Sequence, residues 1–174
     1  MKLIPTGIEN FKELIDKDYY YVDKTNLIVN IINEKVVLYT RPRRFGKTLN
    51  MSMLYYFFSI KEKKNSYLFN HLNISKNKET LEYQNKYPTI FISLKDMKNN
   101  SYEKQMNQFK EVICLCAKNF LELLDSDVLL DSEKKLFQKY VDNETQDNEL
   151  ERALFNISYF LYKHYHQKVI ILID

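Results

Sequence analysis

Glycine is scarce in this chain: Gly7 and Gly46 are the only two among 174 residues. At the usual frequency of ~7%, about a dozen would be present. A motif that keeps a glycine here therefore carries more weight than the same motif in an average protein. Cysteine is scarce as well. Cys114 and Cys116 sit two apart in a helical pattern, which places them on different sides of one helix as small core or boundary residues. Two such cysteines exclude a disulfide framework and a zinc-ligand spacing, and they suit a reducing compartment. A strong charge of either sign is also missing. The 26 Lys and Arg against 23 Asp and Glu leave +3, which does not by itself mark a nucleic-acid binder. Long apolar runs are absent too. None follows residues 1–5, which argues against a signal peptide. The most apolar stretch, residues 51–60, is far short of the ~20 residues that a membrane span requires. The expectation is a soluble cytoplasmic protein with no membrane partner, no internal repeat and no low-complexity tract.

What is present is ordinary for a globular protein: 45% hydrophobic and 28% charged residues. The length suits one domain with a real core and is too short for two. Three β-rich runs stand out, at residues 36–40, 89–94 and 169–173. The first and third are near-continuous aliphatic runs, the pattern of parallel strands covered on both faces. They are expected side by side and parallel. Helical patterns lie between the runs. Asp23 is a plausible cap for a helix over 25–33, with Leu27, Ile28, Ile31 and Ile32 on one stripe. A second helix starts at Lys47. A long third covers 102–124, and further ones cover 132–141 and 149–165, with polar loops at 125–131 and 142–148. Strands alternating with helices predict an α/β fold with a parallel sheet.

The chemistry concentrates in Arg41, Pro42, Arg43, Arg44, Phe45, Gly46, Lys47 and Thr48. A phosphate-binding P-loop reads G-x-x-x-x-G-K-[ST]. The last three positions are retained, and Arg41 stands where the first glycine belongs. Gly46 allows the backbone to approach phosphate oxygens without a Cβ in the way. The start of the following helix offers backbone N–H groups and the positive end of its dipole. Lys47 adds a point charge for the β- and γ-phosphates, and Thr48 a hydroxyl for Mg²⁺. An aliphatic run before the loop and an apolar helix after it supply the strand–loop–helix setting that the motif requires. Against this stands the plainer reading of a basic turn between a strand and a helix. Arg43 and Arg44 contact the nucleotide, brace the loop from behind, reach another domain, or are solvated loop charges.

Two more segments bear on the site. Four or five aliphatics closing on Asp174 fit the second nucleotide-site strand of P-loop enzymes, whose Asp holds Mg²⁺ through water. Alone the signal is weak, since many buried strands end in Asp. Tyr19, Tyr20, Tyr21, Val22, Asp23, Lys24 and Thr25 read either as an aromatic core segment followed by a helix cap or as a box against the adenine or ribose.

With these residues in view, the chain resembles the bacterial AAA-ATPase-like family, whose members often carry a C-terminal PD-(D/E)XK nuclease-like domain. The resemblance spans nearly the whole chain. It rests on Ile8, Glu9, Asn10 and Phe11, on Tyr21, Val22, Asp23, Lys24 and Thr25, on the loop Arg41 to Leu49, on Ser52, Met53 and Leu54, on Phe57 and Phe58, and on Ile171, Leu172, Ile173 and Asp174. The Arg41-Pro42 entry is itself a feature of that family. The resemblance implies a P-loop three-layer sandwich and an ATPase-type module binding ATP and Mg²⁺. The nucleotide is expected at Arg43, Arg44, Phe45, Gly46, Lys47, Thr48 and Leu49, and the metal at Thr48 and Asp174. No catalytic residue is assigned. It further implies that residues 1–174 are the N-terminal part of such a domain, ending at the Asp of the second motif. A nucleic-acid partner would then engage a C-terminal nuclease-like domain outside this chain. Two alternatives stand beside it: a non-hydrolysing, nucleotide-dependent interaction module, and a nucleic-acid-binding module using Arg41, Arg43, Arg44 and the lysines at 61–64.

Overall fold

The computed structural model describes residues 2–40, 42, 45–95, 97–98 and 100–174. The chain divides into two compact units, Met1–Thr89 and Ile90–Asp174. It is helix-rich with a small parallel sheet, in keeping with an α/β class.

The first unit is built on helices α1 (Phe11–Asp16), α2 (Asn26–Ile31), α3 (Lys47–Phe58) and α4 (Lys78–Leu81), with 3₁₀ segments Ile60–Phe69 and Asn73–Lys76. Helix α1 starts where Asn10 Oδ1 accepts the Glu13 N–H at 3.0 Å, a side-chain cap. Helix α3 is the axis of the unit. It buries Asn50, Met53, Leu54 and Phe57, one face at three-four spacing, together with Ser52 and Phe58. Aromatic rings fill the space beside it. Phe11 stacks on Phe69 at 5.3 Å and meets Tyr21 edge-on at 5.6 Å, while Phe57 meets Phe69 edge-on at 5.2 Å. Phe11, Phe57 and Phe69 are essentially inaccessible. Aromatic pairs in these geometries add about 0.5–1.5 kcal/mol each beyond the area they bury. Past Ser59 the chain runs parallel to Tyr87 for one bridge.

The second unit holds strands β1 (Thr89–Ile92, starting at its border) and β2 (Ile170–Ile173), helices α5 (Tyr102–Lys118), α6 (Asp131–Asp142), α7 (Asp147–Leu150) and α8 (Ala153–Tyr165), and a 3₁₀ segment Leu121–Asp125. Asp174 N–H donates to Ile92 O at 2.9 Å and Leu94 N–H to Asp174 O at 2.8 Å. One residue bonding to two positions of its neighbour is the parallel pattern. One core cluster joins Ile90 and Ile92 to Ile113, Cys116 and Ala117 of α5, Phe137 and Tyr140 of α6, and Ile157, Phe160 and Leu161 of α8.

Several expectations change. Residues 36–40 form no strand, so the expected pairing of the first and third runs is not found; β2 pairs with β1 instead. Val36 and Leu38 are 89% and 87% exposed. β-propensity is realised only when cross-strand neighbours and burial reward it, and neither acts on these side chains. The helix expected over 102–124 breaks after Lys118. Phe120 leaves the helical region (φ −132°, ψ 39°) and is thereby buried along with Leu123. The helix expected at 149–165 begins as the separate turn α7, and the loop at 142–148 contains Asn143 in the left-handed conformation that closes α6 (φ 60°). Cys114 and Cys116 are both buried, because core material covers more than one side of α5.

Candidate functional site

Gly46 is the N-cap of α3, with φ 70° and ψ 30°. This left-handed conformation is unfavourable for residues with a Cβ. A Cβ built there would meet nothing within 4 Å among the described residues, so backbone conformation, not crowding, accounts for the glycine. Asn50 N–H returns to Gly46 O at 2.9 Å and closes the first helical bond. Lys47, Thr48 and Leu49 therefore make up the first turn of a 12-residue helix, all three partly exposed. No acidic residue lies in that turn. The helix dipole and the Lys47 ammonium act with the same sign, which makes this end attractive to an anion. Phe45, just before the glycine, is 65% exposed. Arg41, Arg43 and Arg44 lie outside the described residues. Asp174 follows β2 in the second unit, partly buried.

Behind the turn, helix α3 is held by the N-terminal segment. The buried Phe11 N–H donates to Ser52 Oγ at 3.0 Å. Asn10 Nδ2 donates to Tyr56 Oη at 3.2 Å. Tyr21 Oη accepts the Lys24 N–H at 3.1 Å and approaches Met53 Sδ at 3.5 Å, and burial pushes its phenol up to about 12. Nearer the loop, Asn50 Nδ2 donates to Tyr39 Oη at 3.4 Å.

Asp23, expected as the cap of this helix, does not cap it: Thr25 is the N-cap of α2, without a side-chain cap bond, and Asp23 holds Thr25 instead. Its Oδ1 accepts the N–H and the hydroxyl of Thr25 at 2.8 and 2.7 Å, and its Oδ2 accepts the Asn73 N–H at 2.6 Å. Thr25, fully buried, accepts the Ile74 N–H on Oγ1 at 3.1 Å. Burial alone would raise the Asp23 carboxyl, but the Asn73 N–H and the two Thr25 donors hold it below the usual carboxylate range. Within residues 19–25, Tyr21 packs on Phe11 and Asp23 bonds to Thr25, whereas Tyr20 and Val22 are more than half exposed. The segment joins α2 to the turn at Asn73–Lys76. The sequence signal was an Asp two residues before a Thr at a helix start; its long-range partner at Asn73 had none.

Among the described residues no group of three or more His, Cys, Asp or Glu side chains is placed to hold a metal. The sequence model of a family described as "Predicted AAA-ATPase" matches residues 5–174. The chain belongs to this AAA-ATPase-like family. Among curated proteins, an uncharacterized protein in the vnfD 5′ region of Azotobacter chroococcum mcd 1 is 33% identical over 94 residues, 53% of this chain. The match spans 17% of that relative's length. No solved structure matches. In this AAA-ATPase-like chain, Gly46, Lys47 and Thr48 of the family resemblance start α3, and Asn10, Phe11 and Tyr21 bond to its Tyr56, Ser52 and Met53. Asp23 and Thr25 tie α2 to the turn at Asn73–Lys76. No helix is long and apolar enough to cross a membrane among the described residues.

Proposed function

We propose that this chain binds Mg-ATP, with the phosphates at the start of α3. The observation that carries the reading is the left-handed Gly46 followed directly by Lys47 and Thr48 on the first turn of a long helix anchored from behind. In this reading Gly46 gives phosphate oxygens close access to the backbone. Lys47 pairs with the β- and γ-phosphates, and Arg43, Arg44, Phe45 and Leu49 complete the nucleotide contacts. Mg²⁺ keeps several waters and takes few protein ligands when phosphates share it. Thr48 would offer it one hydroxyl. When bound, Mg²⁺ would neutralise charge on the phosphates.

The finer fold assignment, a P-loop three-layer sandwich, belongs to the same proposal. It is supported by the family and by parallel β1 and β2 with Asp174 at the carboxyl end of β2. ATP hydrolysis is consistent with the family, and a nucleic-acid partner for a nuclease-like domain elsewhere in the polypeptide rests on the resemblance alone. A cytoplasmic location fits the two unpaired cysteines.

The test is calorimetric titration of the 174-residue chain with Mg-ATP. Lys47→Ala should abolish the heat of binding while leaving the circular dichroism spectrum and melt unchanged. Equal affinity in a folded variant, or no binding by the parent chain, would overturn the reading.

A further inference from the structure

Positive charge is unevenly distributed along the chain. Residues 1–89 hold 15 Lys and Arg against 9 Asp and Glu, whereas residues 90–174 hold 11 against 14. A mild total of +3 thus conceals a basic first unit and an acidic second one. Within the basic unit, lysines gather on the 3₁₀ segment Ile60–Phe69. Its inner side is buried through Asn65, Leu68 and Phe69. Lys61, Lys63 and Lys64 are exposed.

The chain around Lys86 is laced to the same segment. Ile60 N–H donates to Tyr87 O at 2.8 Å, Asn85 Nδ2 to Ser59 O at 2.9 Å, and Gln84 Nε2 to Ser66 O at 3.0 Å. Lys86 is exposed between two of these anchored residues, so four lysines share this region. The acidic side chains on the two stretches are Glu62, whose carboxylate accepts from the Asn65 amide, and Glu82. Positive charge dominates locally as it does in the unit.

We propose that this surface binds the phosphate backbone of nucleic acid without reading base sequence, independently of the nucleotide at α3. Lysines are flexible point charges suited to phosphate rather than to the bidentate recognition that distinguishes bases. An anionic membrane would be the competing polyanion. Adsorption to a bilayer needs apolar side chains to insert beside the charges. Within Ile60–Phe69 the exposed large apolar side chain is Tyr67, and Leu68 and Phe69 are buried. Tyr67 is itself tied down, its hydroxyl donating to Asp16 Oδ1 at 2.8 Å and accepting from Lys12 Nζ at 3.2 Å.

The experiment follows fluorescence anisotropy of a labelled 20-base-pair duplex against the 174-residue chain over a range of salt concentrations. Binding should weaken steeply with salt and be indifferent to ATP. Each lysine that neutralises a phosphate contributes about 0.9 to the slope of log K against log salt. The triple variant Lys61→Gln, Lys63→Gln, Lys64→Gln should lower that slope by about 2 to 3. The variant Lys63→Gln, Lys64→Gln, Lys86→Gln should act alike, a safeguard should the first perturb the fold. The control Lys118→Gln, Lys135→Gln, Lys168→Gln removes the same charge from the second unit and should leave the slope unchanged. No duplex binding by the parent chain, equal losses in control and patch variants, or binding to phosphatidylserine vesicles in preference to DNA would overturn the proposal.

Discussion

Asp23 receives three hydrogen bonds, two from Thr25 and one from the backbone of Asn73, fifty residues away. A carboxylate suits this place because all three partners donate and none accepts. Asp23→Asn presents an amide that must turn a donor toward a donor on one side. Loss of one charge-assisted bond costs roughly 1.5–3 kcal/mol, to be read by urea unfolding at pH 7. The effect should depend on pH. The folded carboxyl lies below its ordinary value, so its stabilisation is complete above the unfolded value of ~3.9. It is lost as pH falls through the folded value. The gap in unfolding free energy between parent and variant should therefore shrink as pH drops from 5 toward 3. A gap that stays constant to the lowest pH at which both fold would refute a role for the ionised form.

Ser52 is the second anchor. Its hydroxyl accepts the Phe11 N–H in a buried setting. Ser52→Ala leaves a buried donor unsatisfied, at about 1–3 kcal/mol. Ser52→Thr keeps the acceptor and should recover much of that loss where the added methyl fits. Thermal melts of the three proteins decide it; an alanine variant as stable as the parent would show that the bond contributes nothing.

How much of this was legible beforehand follows the range of the interactions. The start of α3 at Lys47 was readable, because a Gly-Lys-Thr run before an apolar block is a local signal. So was the aliphatic strand ending at Asp174, but coverage on both faces was expected of it, and Ile171 and Ile173 are 40% and 52% exposed while Leu172 is buried. Residues 36–40 read as a strand by the same rule and are not one, because a strand exists only through its neighbours. The break after Lys118 was hidden in a periodic pattern that suits both a long helix and a helix followed by a 3₁₀ turn. Asp23 looked like a local cap, but its bond to Asn73 depends on the fold. Segment Ile60–Phe69, with Lys61, Lys63 and Lys64, gave only a charge run. Its orientation came from Leu68 and Phe69 turning inward.

The two cysteines give a check on the second unit. Burial pushes the Cys116 thiol up to about 12, and Cys114 Sγ–H donates to Val141 O at 3.1 Å. Thiolate is the reactive form, and neither sulfur is open to solvent. Iodoacetamide at pH 8 should leave both unmodified in the native protein and alkylate both in 8 M urea, as read by mass spectrometry. Rapid native modification at Cys116 would mean that α5 does not pack as described.

Gly46→Ala separates what the fold needs from what the proposed ligand needs. The residue lies at φ 70° and ψ 30°, and a Cβ there would meet nothing within 4 Å among the described residues. The cost to folding is then the left-handed backbone alone, about 1–2 kcal/mol, visible as a modest fall in melting temperature. The cost to the ligand is of another kind. If phosphate oxygens approach the backbone at this turn, a methyl group stands in their way, and a helical relaxation of the alanine would re-aim the N–H groups. Affinity for Mg-ATP should drop more than tenfold, well beyond what the lost stability explains. Titration at a temperature where both proteins are fully folded isolates the second effect. If the alanine variant is destabilised yet binds Mg-ATP as the parent does, the left-handed turn serves only to start α3. The phosphates would then have to be sought elsewhere than at its backbone.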